Sequence, residues 1–136
     1  MMFRHTYPLA FMAAIALLAG TDAFAQAADG KTLFAKNCAA CHQANGKGIP
    51  GAFPALAGNA FVQGAPGDVA TVLLKGRGGM PDFSGSLNDA DIAQVLSYVR
   101  SNWGNGAAAI SEQEVGAQRG ALGVPPASSA RFSNKH

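Results

Sequence analysis

The sequence Cys-Ala-Ala-Cys-His at residues 38–42 says more about this chain than any other part of it. On a helix, positions three apart lie on the same face, so the thiols of Cys38 and Cys41 can reach the two vinyl groups of one porphyrin. His42 follows directly and can turn its imidazole onto the iron as the proximal ligand. The spacing C-x-x-C-H is typical of covalent haem attachment. The sequence therefore predicts one covalent haem c.

Met80 is the predicted second ligand of the iron. It lies in a turn-rich loop in which Gly76, Gly78 and Gly79 permit close approach of the backbone to a flat ligand. A gap-filling core methionine is the alternative, but a Gly-Gly-Met-Pro loop is poorly placed for a helix or strand core. A thioether opposite an imidazole gives a six-coordinate iron of raised reduction potential. Such an iron is suited to passing electrons and not to binding oxygen or peroxide.

Other residues near the predicted haem ligands give weaker indications of a functional role. A backbone carbonyl of the segment 54–56 can accept a hydrogen bond from the free ring nitrogen of His42 and fix the ring, with Leu56 then facing the porphyrin. An ordinary turn proline at Pro54 is the alternative. Three cations flank the predicted haem loops and form either a docking rim or ordinary solvated charge: Lys47, Lys75 and Arg77.

The periodicity of the chain predicts an all-α fold with long loops. Helices are predicted over residues 30–42, 67–75, about 88–103 and 111–119, with Asp29, Asn88 and Ser111 as N-caps. No strand pattern occurs. These helices have little apolar surface with which to close a core, and a buried prosthetic group would supply the missing part. The aromatic residues predicted to pack where helices cross are Phe34, Tyr98 and Trp103.

The two ends of the chain are predicted to lie outside the folded domain. Residues 1–25 have a positive start, an apolar run over residues 9–18 and an Ala-Phe-Ala site, which together indicate a secretory signal peptide cleaved before Gln26. An uncleaved anchor is the alternative, but the run is shorter than the roughly 20 residues that span a bilayer. One folded domain is predicted over residues 26–119. The tail over residues 120–136 is predicted to be disordered.

Composition and sequence context argue against a nucleic-acid partner and against other roles for the two cysteines. The formal net charge is +2 with no basic run, so no nucleic-acid footprint is present. A disulfide or thioredoxin-like pair lacks a βαβ context. A zinc site needs four ligands, whereas the chain after the signal has two cysteines and one internal histidine. Export disfavours a protein with free thiols.

Four separated segments resemble the class I bacterial cytochromes c. The resemblance implies an N-terminal and a C-terminal helix that cross over the haem, with Gly30 or its neighbour and Tyr98 near the crossing. It also implies that His42 and Met80 are the axial ligands and that Pro54 supplies the carbonyl. The segments are residues 38–42, 46–59, 79–81 and 91–100.

The run over residues 50–59 and the extension over residues 111–119 are more similar to the cytochrome domains of periplasmic dehydrogenases than to mitochondrial cytochrome c. The leading hypothesis is a periplasmic one-electron carrier, not an enzyme. It would take electrons from a dehydrogenase or quinol oxidoreductase and pass them to another cytochrome or a terminal oxidase, with no membrane span after signal cleavage. A subunit of a dehydrogenase complex is the alternative, and a gas-sensing or catalytic haem protein is the third hypothesis.

Overall fold

The computed structural model describes residues 29–128, and within them the chain forms helices joined by long loops. No strand occurs in this part of the chain, only two isolated β-bridges, so the all-α class is confirmed. The same part of the chain contains no helix with the length and apolarity to cross a membrane. The predicted signal peptide lies outside the described residues. The helices are α1 (Gly30–Asn37), α2 (Ala39–His42), α3 (Pro66–Lys75), α4 (Asp89–Ser101) and α5 (Glu112–Ala121).

The crossing of α1 over α4 forms the centre of the fold. At Gly30 the backbones come so close that an added Cβ would overlap the carbonyl oxygen of Gln94 and lie 2.7 Å from the Cβ of Tyr98. About one turn after this contact, α1 buries Leu33 and Phe34 against the apolar stripe of α4. Each large apolar side chain buried here contributes about 2 kcal/mol. The crossing predicted for this pair of helices is confirmed.

Three aromatic rings pack together beside the crossing. The ring centroids of Phe34 and Trp103 lie 4.9 Å apart, those of Tyr98 and Trp103 lie 5.4 Å apart, and those of Phe34 and Tyr98 lie 5.7 Å apart. Tilted and edge-on pairs at these distances are the favoured aromatic geometries. The prediction that these rings belong to the core is confirmed.

Side-chain caps begin the helices where the sequence predicted them. The side chain of Asp29 accepts from the N–H of Thr32 at 3.0 Å, and that of Asn88 accepts from the N–H of Asp91 at 2.8 Å. Ser111 begins α5 with a capping box. Each cap satisfies a donor that the first helical turn leaves unpaired.

The helix predicted over residues 30–42 is wrong in one respect, because it is interrupted at Cys38. That residue has φ −124° and ψ −32°, which lie outside helical values. The N–H of Cys38 still donates to Phe34 at 2.9 Å, and the N–H of His42 donates to Cys38 at 3.0 Å. The helical bonding pattern therefore continues across the interruption.

Two other helix ends differ slightly from the prediction. Helix α4 ends at Ser101, and Trp103 beyond it has a positive φ of 52°. Helix α5 continues to Ala121, after which the N–H of Val124 donates to the carbonyl of Arg119 at 3.0 Å. The domain boundary at residue 119 stays a prediction, as does the disorder of the tail, of which residues 129–136 lie outside the described residues.

Candidate functional site

His42, at the end of α2, is held in one orientation. Its side chain is buried, with 7% of the residue exposed, and its Nδ1 lies 2.9 Å from the carbonyl oxygen of Pro54. A carbonyl only accepts, so Nδ1 carries the proton and donates. In a neutral imidazole this leaves a lone pair on Nε2. That nitrogen is free to bind a metal ion.

The loop between α2 and α3, residues 43–65, places the Pro54 carbonyl; we call it the His42 loop. It folds back on itself through the N–H of Leu56, which donates to Gly46 at 2.7 Å, and the N–H of Gly48, which donates to His42 at 2.9 Å. Gly48 has φ +62°, and an added Cβ would lie 2.6 Å from the carbonyl oxygen of Pro54. Glycine is required at this close approach.

Asn105 anchors the His42 loop to the end of α4, and the sequence analysis missed it. Its Nδ2 group donates to the carbonyls of Leu56 at 2.9 Å and Val99 at 2.8 Å, while its Oδ1 is buried without a partner among the described residues. Only 6% of Asn105 is exposed. Its partner in the loop is 49 positions away in sequence, so no local pattern could have indicated the bond.

Cys38 and Cys41 lie within four residues before His42 in the sequence, and both are half-buried and free. Burial, together with the smaller effect of the nearby Cys41, raises the pKa of the Cys38 thiol to about 11. Two thiols beside an imidazole with one available nitrogen are the donor set that a covalently attached haem requires. The residues present therefore fit the predicted cofactor.

Met80 lies in the loop between α3 and α4, residues 76–88, which we call the Met80 loop. Its N–H donates to Arg77 at 3.0 Å, and the N–H of Arg77 donates back to Met80 at 3.1 Å. This reciprocal pair closes a tight turn. Met80 is half-buried and packs against the core, as does Leu56 from the His42 loop. Both predicted haem contacts thus lie against the same core.

The three cations of the predicted rim are exposed. The guanidinium of Arg77 lies 4.8 Å from the centroid of the Phe61 ring, a distance at which a cation is attracted to the ring face. This contact joins the Met80 loop to the His42 loop. Large apolar side chains are also exposed in the His42 loop: Ile49, Phe53 and Phe61.

Comparison with known proteins identifies a family model that matches this chain. The family model described as cytochrome c oxidase, cbb3-type, subunit III matches residues 25–99. The matched part includes the paired cysteines, His42 and Met80. It extends over more than half of the chain.

Similar curated proteins include small cytochromes and one subunit of a larger enzyme. Cytochrome c-552 of Thermus thermophilus is 39% identical over 105 residues, which are 65% of this chain and 69% of that protein. Cytochrome c6 of Picosynechococcus is 39% identical over 90 residues, 59% of this chain and 77% of that protein. The cytochrome c subunit of the quinone alcohol dehydrogenase of Gluconobacter oxydans is 34% identical over 90 residues, 57% of this chain but 19% of that protein.

Proposed function

Because the chain belongs to the class I c-type cytochromes, we propose that it is a periplasmic one-electron carrier in which His42 and Met80 hold the haem iron. The cofactor predicted from the sequence, one covalent haem c, is confirmed by the family. The similar proteins named cytochrome c-552 and cytochrome c6 are electron carriers and not enzymes. The observation that supports His42 as a ligand is the hydrogen bond of 2.9 Å between its Nδ1 and the Pro54 carbonyl, because it leaves the lone pair of Nε2 available to an iron ion.

The chain's own residues support this role. When bound, the haem supplies an iron that alternates between the ferrous and ferric states. The thioethers proposed at Cys38 and Cys41 fix the cofactor to the chain, and the Pro54 carbonyl holds the imidazole of His42 in one orientation. Met80 supplies a soft sulfur donor that favours the ferrous state. Met80 and Leu56 pack against the buried core from the two loops, which supports a site shielded from water.

Partners and location follow from the surface and the start of the chain. The exposed Lys47, Lys75 and Arg77 support a redox partner with an acidic docking surface. A periplasmic dehydrogenase or a quinol oxidoreductase is the proposed donor, and another cytochrome or a terminal oxidase is the proposed acceptor. The secretory signal proposed for residues 1–25 supports the periplasm as the site of action.

An optical redox titration of the haem-loaded protein tests the ligand pair. We expect a low-spin ferrous spectrum and no binding of carbon monoxide. Met80→Ala should open the sixth position, lower the midpoint potential and change carbon monoxide binding from absent to one per haem. Leu56→Ala is the control, since it removes a proposed haem contact but no iron ligand. Carbon monoxide binding by the unsubstituted protein would favour the sensing or catalytic hypothesis instead.

A second function is supported by the similarity to the alcohol dehydrogenase subunit of Gluconobacter oxydans. The chain would then be the electron-transfer subunit of a dehydrogenase complex. Purification from the native periplasm separates the two: a fixed stoichiometry with one flavin or quinone enzyme, stable to salt, supports the subunit. Elution as a single free chain supports the carrier.

A further inference from the structure

Arg119 lies near the end of α5 with its guanidinium buried, and 4% of the residue is exposed. Its Nε–H donates to Asp89 Oδ1 at 2.6 Å, an ion pair with the first turn of α4. Its other donors reach main-chain carbonyls: Nη1–H donates to Ser84 at 2.9 Å and to Pro125 at 2.8 Å, and Nη2–H donates to Leu87 at 3.1 Å. One side chain therefore joins α4, the Met80 loop and the chain after α5.

The remaining bonds of the Met80 loop lie nearer its beginning or between close neighbours. The reciprocal pair of Arg77 and Met80 closes its turn, and the N–H of Phe83 donates to Leu73 in α3 at 2.7 Å. The N–H of Leu87 donates to Phe83 within the loop at 2.9 Å. The two bonds from Arg119 reach the second half of the loop from another helix.

Helix α5 presents Arg119 from a fixed position. Val115, one turn earlier on the same face, is fully buried. Gln118 Nε2–H donates to Thr71 Oγ1 at 2.9 Å, which joins α5 to α3. Helix α5 is thus packed against both helices that flank the Met80 loop.

We propose that Arg119 is a positioning residue for Met80, which it holds on the iron by fixing the second half of the Met80 loop. The inference rests on the proposed function, since it requires Met80 to be the ligand. A competing ligand enters only after Met80 leaves, and Met80 leaves only when its loop moves. Hydrogen bonds from a buried guanidinium are about twice as strong as neutral ones, so they oppose that movement.

Arg100 provides a matched control. It is buried to the same extent, with 4% exposed, and it also donates to main-chain carbonyls: to Ala108 at 2.9 Å, to Val62 at 2.6 Å and to Gly64 at 2.9 Å. These acceptors lie outside the Met80 loop. Loss of Arg100 should therefore lower stability without releasing Met80.

The test measures how fast imidazole binds to the ferric holoprotein, together with the near-infrared charge-transfer band of a thioether on ferric haem. Arg119→Gln should increase the imidazole binding rate about tenfold, whereas Arg100→Gln should leave it unchanged. Both substitutions should lower the thermal midpoint. Arg119→Lys should give an intermediate rate, because one ammonium group cannot replace the guanidinium fork.

Asp89→Asn is the second variant, in case Arg119→Gln does not fold, and it should raise the rate in the same direction by removing the charge of the ion pair. Equal imidazole rates for the Arg119 and Arg100 variants would overturn the positioning role and leave Met80 ligation standing. If Arg119→Gln does not fold, an unchanged imidazole binding rate for Asp89→Asn would likewise overturn the positioning role. Absence of the charge-transfer band in the unsubstituted protein would overturn the ligation, and with it this inference.

Discussion

The His42 loop and the Met80 loop are both rich in turns, yet different parts of the fold hold them. Main-chain bonds within the His42 loop connect distant points, as between Leu56 and Gly46, and Asn105 adds bonds from the end of α4. The Met80 loop bonds mainly to near neighbours, and its second half accepts two hydrogen bonds from Arg119 in α5. The His42 loop is therefore held by its own main-chain bonds and by side chains of α4 and of the residues after it, whereas the second half of the Met80 loop is bonded from α5.

This difference indicates which of the two proposed iron ligands is easier to displace. The imidazole of His42 is oriented by a carbonyl that its own loop fixes, close to the covalent attachment proposed at Cys38 and Cys41. The thioether of Met80 is held through a turn and the anchors of its loop. We therefore expect mild perturbation to release Met80 before His42.

The largest effect should come from breaking the His42 loop at Gly48. Gly48→Ala places a Cβ against the carbonyls of Phe53 and Pro54 at a positive φ, which should cost about 3 kcal/mol in the free energy of unfolding of the holoprotein. Urea titration followed by haem absorbance measures this. Gly51→Ala is the control, because Gly51 also has a positive φ, +79°, but has open space around it, and it should cost only about 1 kcal/mol. Equal costs would show that the carbonyl contact is unimportant.

A smaller effect should follow from separating the two loops at their direct contact. Arg77→Ala removes the guanidinium from the face of Phe61 and should reduce the free energy of unfolding by about 0.5 kcal/mol. Arg77→Lys retains a cation and should lose less. Lys47→Ala removes another exposed charge and serves as the control in the same urea titration. If it matches Arg77→Ala, the loss reflects charge and not the contact between the loops.

The smallest effect concerns the start of α5 and depends on pH. Hydrogen bonds from the backbone and then the side chain of Ser111 lower the pKa of Glu114 below its usual 4.5. A lowered pKa in the folded state gives stability that is present above pH 4.5 and is lost as the pH falls through the folded value. Glu114→Gln can keep the capping box but does not titrate. For Glu114→Gln, the fall in thermal midpoint between pH 7 and pH 3 should therefore be smaller than for Glu112→Gln, a substitution in the same turn. An equal fall would contradict this.

Local patterns made much of the fold predictable. Asn88 and Ser111 begin helices through bonds to residues three positions on, so a short window of sequence contains the whole signal. The same holds for the haem-attachment motif, whose residues are adjacent. The interruption at Cys38 was missed because it is a change in the backbone angles of one residue, which the apolar pattern does not report.

Long-range bonds made the rest unpredictable. Arg119 is 30 positions from Asp89, and Asn105 is 49 positions from Leu56. The one weak signal was that Arg119 lies four residues after Val115 and so shares its buried face. An arginine near a helix end is usually assigned to solvent, and only the folded structure shows that this one is buried.

The burial of Cys38 has a consequence for the order of events in biogenesis. A thiol whose pKa is about 11 is almost entirely protonated at neutral pH, and the thiolate is the reactive form. Once α1 has packed onto α4, this sulfur is therefore both less accessible and less reactive than in the extended chain. The thioether proposed here forms most readily on a chain that has not yet folded, and folding then encloses a bond that has already been made.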